Sequence, residues 1–175
     1  MLAVGKKVIY PCQGPCLVSS IVNTTVDEKP MTFYQLVVLS EGGGKLLVPV
    51  DKVKQVGIRP LMKQPEIPKL LDQLKRPSKA SSDRKQRVRD NLKLLLSGSA
   101  FDLAEIVESL TELIEKKALS FGERGTLDRA KRLLVCEISE VTGATKQEAE
   151  EQVDQALIAR RKRLASRNSS PVSEA

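Results

Sequence analysis

A chain of 175 residues that is 41% hydrophobic can bury one medium core or two small ones. With 29 Lys and Arg against 22 Asp and Glu, its net charge of +7 is a moderate excess that suits a polyanionic partner. The absence of histidine removes the usual acid–base residue and metal ligand, and no carboxylate pair or activated Ser or Cys stands out. A non-enzymatic protein is expected, with no cofactor and no metal. Three cysteines (Cys12, Cys16 and Cys136) are an odd count without framework spacing, which points to a reducing compartment. Cys12 and Cys16 lack the second Cys or His pair that zinc needs, so they read as small apolar side chains beside a turn. No apolar run approaches the roughly 20 residues needed to span a bilayer. The start, MLAVGKKVIY, lacks a signal-peptide layout, and a cytoplasmic protein with no membrane partner is expected.

The first third reads as β structure. Lys7 to Tyr10 is a short β-branched and aromatic run closed by Pro11 and Gly14. Leu17 to Thr25 repeats that character, and Asp27 to Pro30 is a turn. Thr32 to Leu39 is the strongest strand. Residues 41–44, EGGG, form a hairpin loop, and Lys45 to Val50 returns. Pro49 cannot donate a ladder bond, so that strand lies at an edge or is irregular. Val53 to Ile58 adds a fifth short strand. The spacing predicts a small, bent barrel of the SH3 or Tudor type over 1–60.

The period then changes. Ile67, Leu70, Leu71 and Leu74 mark a short amphipathic helix, with Pro68 in its first turn, inside a linker over 61–82. Asp83 caps a helix to Ser97 whose buried side is expected to carry Val88, Leu92, Leu95 and Leu96. A third helix runs from Ala100 to Lys117. Ser120 with Glu123, and Thr145 with Glu148, are capping boxes that open two more. The helical domain spans 83–165, and 166–175 is expected to fray. The whole is α+β: a small β domain followed by an all-α domain.

The stretch from Lys75 to Lys93 is the main candidate surface. It holds Lys75, Arg76, Lys79, Arg84, Lys85, Arg87, Arg89 and Lys93 against only Asp83 and Asp90. Cations at a helix start, where backbone N–H groups also favour phosphate, suit nucleic acid. Such contacts are salt-sensitive and blind to sequence. Arg84, Arg87 and Lys85 are expected to share a side away from Val88 and Leu92. A second cluster, Arg160 to Arg163 with Arg167, sits at a helix C-terminus and reads mainly as a solvated end.

Taken together, the chain resembles the CarD/CdnL family of bacterial RNA polymerase-binding transcription regulators. The resemblance spans residues 4 to 141. It rests on VGKKVIYPCQGPCLV (4–18), FYQL (33–36), LLVPVDKVKQVGIR (46–59), NLKLLLSGSAFDLAEIVESL (91–110) and LSFGERGTLDRAKRLLVCEIS (119–139). It implies a Tudor-like domain, shared with transcription-repair coupling factors, that pairs a strand edge with the RNA polymerase β subunit. The interface positions fall on Lys45, Leu47, Val48 and Pro49; some relatives carry arginine where Leu47 stands. It also implies a helical domain that touches upstream promoter DNA without reading its sequence. The DNA-contacting positions fall on Arg84, Lys85, Arg87 and Arg89. Arg84 occupies the place of the family's wedging tryptophan, and this chain has none. Gln86 occupies a further basic position. A monomer is expected. Two other functions fit the sequence: a polymerase-tethered adaptor that scarcely meets DNA, and a basic RNA- or ribosome-associated protein. An aromatic content of 3% counts against the last.

Overall fold

The computed structural model describes residues 1–40, 42–78 and 81–168. Glu41 of the hairpin loop, Lys79 of the basic stretch and most of the tail expected to fray lie outside the described residues.

Five strands form one antiparallel sheet: β1 (Lys7–Tyr10), β2 (Gly14–Val26), β3 (Lys29–Val38), β4 (Lys45–Pro49) and β5 (Arg59–Pro60). Their spatial order is β4-β3-β2-β1-β5. Period-two alternation sets the core. Cys16 lies across from Val38, Val18 from Leu36 and Tyr34 from Val48, and all six are buried. Asp27 and Glu28, both at positive φ, make the tight turn between β2 and β3, which are longer than expected. A bulge between Val18 and Ser20 bends β2.

The sheet is open rather than a closed barrel, because β4 and β5 do not pair. β5 has only two residues, and one is proline, so it cannot bridge the gap. The fifth strand is also not where the sequence suggested. Val50–Lys52 forms a 3-10 turn and Val53–Val56 a short helix, α1, ended by Gly57 at φ 84°. Val50, Val53 and Val56 repeat every third residue and pack on the β core. That helical spacing overrides their β-branched composition.

Among the described residues five further helices follow: α2 (Ile67–Leu74), α3 (Arg84–Ser97), α4 (Ala100–Lys116), α5 (Phe121–Thr142) and α6 (Lys146–Asn168). Both capping boxes are formed: Ser120 and Glu123 bond each other's backbone N–H, as do Thr145 and Glu148. Asp83 accepts from the N–H groups of Lys85 and Gln86. The segment expected to be a linker is not a free tether, since Ile67, Leu70 and Leu74 belong to the helical core.

α3 is rotated relative to its apolar pattern. Arg87, Asn91 and Leu95 face inward, while Val88, Leu92 and Leu96 are about half exposed. The cause is polar: Arg87 lies one helical face from Val88 and pairs with Glu123 of α5. Turning Val88 inward would strand that carboxylate.

The two domains are pinned together. Arg59 of β5 donates to both carboxylate oxygens of Glu137 in α5, at 2.7 and 2.8 Å. It also donates twice to the carbonyl of Gly98, and Met62 N–H donates to Glu137. Gly98 ends α3 at φ 71°, where a Cβ would lie 3.1 Å from Pro11 Cγ. The close seating of the β1–β2 turn therefore needs glycine there.

Candidate functional site

β4 lies at an edge of the sheet and, among the described residues, pairs only with β3. Its outer backbone groups face away from the sheet, as a strand-accepting edge requires. Lys45 is exposed and Leu47 is 57% exposed. Val48 is buried against Tyr34, so its side chain serves the core and only its backbone belongs to the edge. Pro49 ends the strand and is half-buried.

The second region is the start of α3. Arg84, Lys85 and Arg89 are exposed and, among the described residues, form no ion pair; the same holds for Lys93. Arg87 is different. It is 2% exposed and donates from Nε and Nη2 to Oε1 of Glu123, at 3.0 and 2.5 Å. Its Nη1 donates to the carbonyls of Ser81 and Ser82. Burial raises the Glu123 pKa, but the hydrogen bonds from Arg87 and Ser120 outweigh it and hold the carboxyl at about 2. Arg87 thus positions the loop and the helix rather than facing solvent, which corrects its expected place among the surface cations.

The C-terminal cluster divides in the same way. Arg160 is buried; it donates to the carbonyl of Glu108 and pairs with Glu112. Arg161 pairs with Glu115 at 3.1 Å. Lys162, Arg163 and Arg167 stay exposed. A cleft of about 770 Å³ between the β1–β2 turn and α5 is lined by Cys12, Arg129, Lys131 and Arg132. Lys131 there is tied to Glu150 and Asp154. Among the described residues no group of three or more His, Cys, Asp or Glu could hold a metal ion, and no helix is long and apolar enough to cross a membrane.

Sequence reasoning missed the Arg59–Glu137 clamp. Its one signal was a carboxylate, Glu137, in an otherwise apolar stretch of helix, LLVCEI (133–138). It also missed Phe121, which stands almost wholly in solvent.

Two family models match. The CarD-like/TRCF RID domain covers residues 2–62, and the CarD C-terminal domain covers residues 69–154. The chain is similar to YdeB of Bacillus subtilis (strain 168), by its name a candidate transcription factor. The two are 26% identical over 152 residues, covering 85% of this chain and 97% of that protein. A solution structure of the 72-residue N-terminal domain of Myxococcus xanthus CarD is 40% identical over 34% of this chain and 79% of its own, with a TM-score of 0.29. The two models lie in the same order as the β and helical domains and between them account for nearly all of both; the chain belongs to the CarD/CdnL family of transcription regulators.

Proposed function

We propose that this protein binds the RNA polymerase β subunit along β4 and lays the start of α3 on upstream promoter DNA, stabilising the open complex. The observation that carries the reading is the pairing of two unused surfaces on one pinned frame. One is an open strand edge with Leu47 exposed. The other is a cationic helix start with Arg84, Lys85 and Arg89 free of carboxylate partners among the described residues. The Arg59–Glu137 clamp ties the two domains together.

Backbone pairing at the edge supplies affinity, and Lys45, Leu47 and Pro49 supply contacts around it. The cations meet phosphates, so the DNA term is sequence-independent and falls with salt. A contact made only in the open complex shifts melting toward that state. A few such contacts at about 1 kcal/mol each change the open population several-fold. Promoter choice is left to the polymerase itself. The reaction is a change of binding equilibria, with no chemical step and no cofactor.

The test is capture of RNA polymerase by the full chain, read for the β subunit by crosslinking from a photoreactive residue at position 47. Crosslinks to β support the reading. Capture with crosslinks only to other subunits contradicts it.

A further inference from the structure

A hollow of about 340 Å³ lies between the end of α2 and the end of α6. Five cations line it: Lys75, Arg76, Arg160, Arg163 and Arg167. Among the described residues no carboxylate does. Lys75 pairs with Asp72, and Arg160 pairs with Glu112. Arg76, Arg163 and Arg167 are exposed and, among the described residues, form no ion pair.

Cations gather at helix C-termini without any ligand, because each end carries about half a negative charge. That effect is too small here. Two helix ends together with Asp72 and Glu112 leave roughly two of the five positive charges uncancelled. Glu112 is moreover shared with Lys116. Glu108, the other acid beside Arg160, is lifted to about 7 by burial, so near neutral pH it offsets only part of a further charge. The field is continuous across the gap: the Asp72 carboxyl is held below its ordinary range first by Lys75, and then by Arg163 of α6 and by Arg76. Arg160 is 3% exposed, and its Nε has no hydrogen-bond partner among the described residues. Glu108 and Glu112 therefore leave that guanidinium incompletely satisfied, which is uncommon for a buried donor.

We infer that this hollow binds the phosphate chain of a small polyphosphate, such as the triphosphate of a free nucleotide. The inference goes beyond the polymerase and DNA reading and does not depend on it. Guanidinium groups donate to phosphate oxygens in pairs, and three of those lining the hollow are free to do so. A duplex spreads its charges along its length, whereas these cations come from two helix ends that share one hollow. That arrangement favours a compact anion with several charges. The volume lies at the small end of ligand clefts, which fits a short chain of phosphates. The apolar lining is Pro77 and Leu164, with no aromatic ring, so a base gains little by stacking. Recognition therefore follows the number of phosphates and is indifferent to the base.

The test is isothermal titration of the full-length protein with phosphate, pyrophosphate, tripolyphosphate, ATP and CTP, at matched ionic strength and without magnesium. Affinity is expected to rise about ten-fold with each added phosphate, and ATP and CTP to match tripolyphosphate within about three-fold. Arg163→Ala with Arg167→Ala weakens tripolyphosphate by about ten-fold or more, with the melting temperature unchanged because both side chains are exposed. Arg161→Ala with Lys162→Ala removes the same charge from the same helix end but outside the hollow, and is expected to leave affinity within about two-fold. If tripolyphosphate binds no more tightly than phosphate, or the two double variants lose affinity equally, the cluster is a diffuse charged end and the inference fails. If ATP binds more than about ten-fold tighter than tripolyphosphate, the nucleoside carries recognition and the inference is overturned. The same holds if the Arg163, Arg167 variant keeps its tripolyphosphate affinity and instead loses affinity for duplex DNA, which would assign these cations to a nucleic-acid surface.

Discussion

Arg87 and Glu123 form a buried ion pair between the first turns of α3 and α5, with two guanidinium nitrogens on one carboxylate oxygen. Glu123 also caps α5 through Ser120, so one carboxylate holds a helix start, a neighbouring helix and, through Arg87, the loop at Ser81 and Ser82. Removing Arg87 leaves that carboxylate buried without its cation. Arg87→Ala is expected to cost about 3 kcal/mol, read as a lowered urea midpoint. Arg89→Ala, at an exposed site, is expected to leave the midpoint unchanged within about 0.5 kcal/mol.

The same pair sets an acid limit. Glu123 titrates at about 2 in the fold against an ordinary 4.5. A depressed carboxylate stabilises above its unfolded pKa and loses that contribution as pH falls toward its folded one. Stability is therefore expected to drop between about pH 4.5 and 2, and the drop is expected to be smaller in Glu123→Gln. Equilibrium unfolding followed against pH in both proteins checks this.

Glu108 works in the opposite direction. Burial is the main effect on its carboxyl, opposed by Arg160, and lifts it to about 7. A raised acid is neutral in the fold at pH values where the unfolded chain is already ionised. Its favourable state is fully present below about pH 4.5 and is lost as pH rises through 7. Glu108→Gln is therefore expected to match wild type near pH 4 and to exceed it by on the order of 1 kcal/mol above pH 7. Thermal unfolding at the two pH values measures the difference.

Arg59 and Glu137 set how the two domains face each other. Glu137 accepts from Arg59 twice and from the N–H of Met62, so Glu137→Ala leaves the guanidinium without its carboxylate, held only by backbone carbonyls, and the buried Met62 amide without its acceptor. A loss of about 3 kcal/mol is expected, with faster proteolysis around residues 61–66 as the seam loosens. Wild-type cleavage rates in the variant would contradict a clamping role.

At β4 two neighbours separate binding from folding. Leu47 is exposed and Val48 is buried. Leu47→Asp is expected to weaken polymerase capture with the melting temperature unchanged. Val48→Asp is expected to lower the melting temperature, because it places a carboxylate beside Tyr34 and Leu36. Equal capture by Leu47→Asp and wild type would remove that side chain from the interface.

Local signals carried most of the fold. Caps at Asp83, Ser120 and Thr145 and the alternation of Tyr34, Leu36 and Val38 act within a few residues, so the sequence displays them. What was hidden acts across long separations. The partner that turns Arg87 inward is 36 residues away, and the one that holds Arg59 is 78 away. Charge and spacing alone made Arg87 look like its exposed neighbour Arg84, and made Val88, Leu92 and Leu96 look like a core face. Val53 to Val56 misled for a different reason: β-branched composition suits a strand, but packing every third residue favoured a helix.

The lifetime of the polymerase–promoter open complex tests the central claim most directly. It is measured after competitor addition with no factor, with wild type, and with the Arg84→Ala, Lys85→Ala, Arg89→Ala triple variant, at matched polymerase occupancy. Wild type is expected to lengthen the lifetime several-fold, more at low salt than at high, and the triple variant to lose most of that gain while still binding polymerase. A lifetime equal for wild type and the triple variant would contradict the account and leave the chain as a protein adaptor on the polymerase.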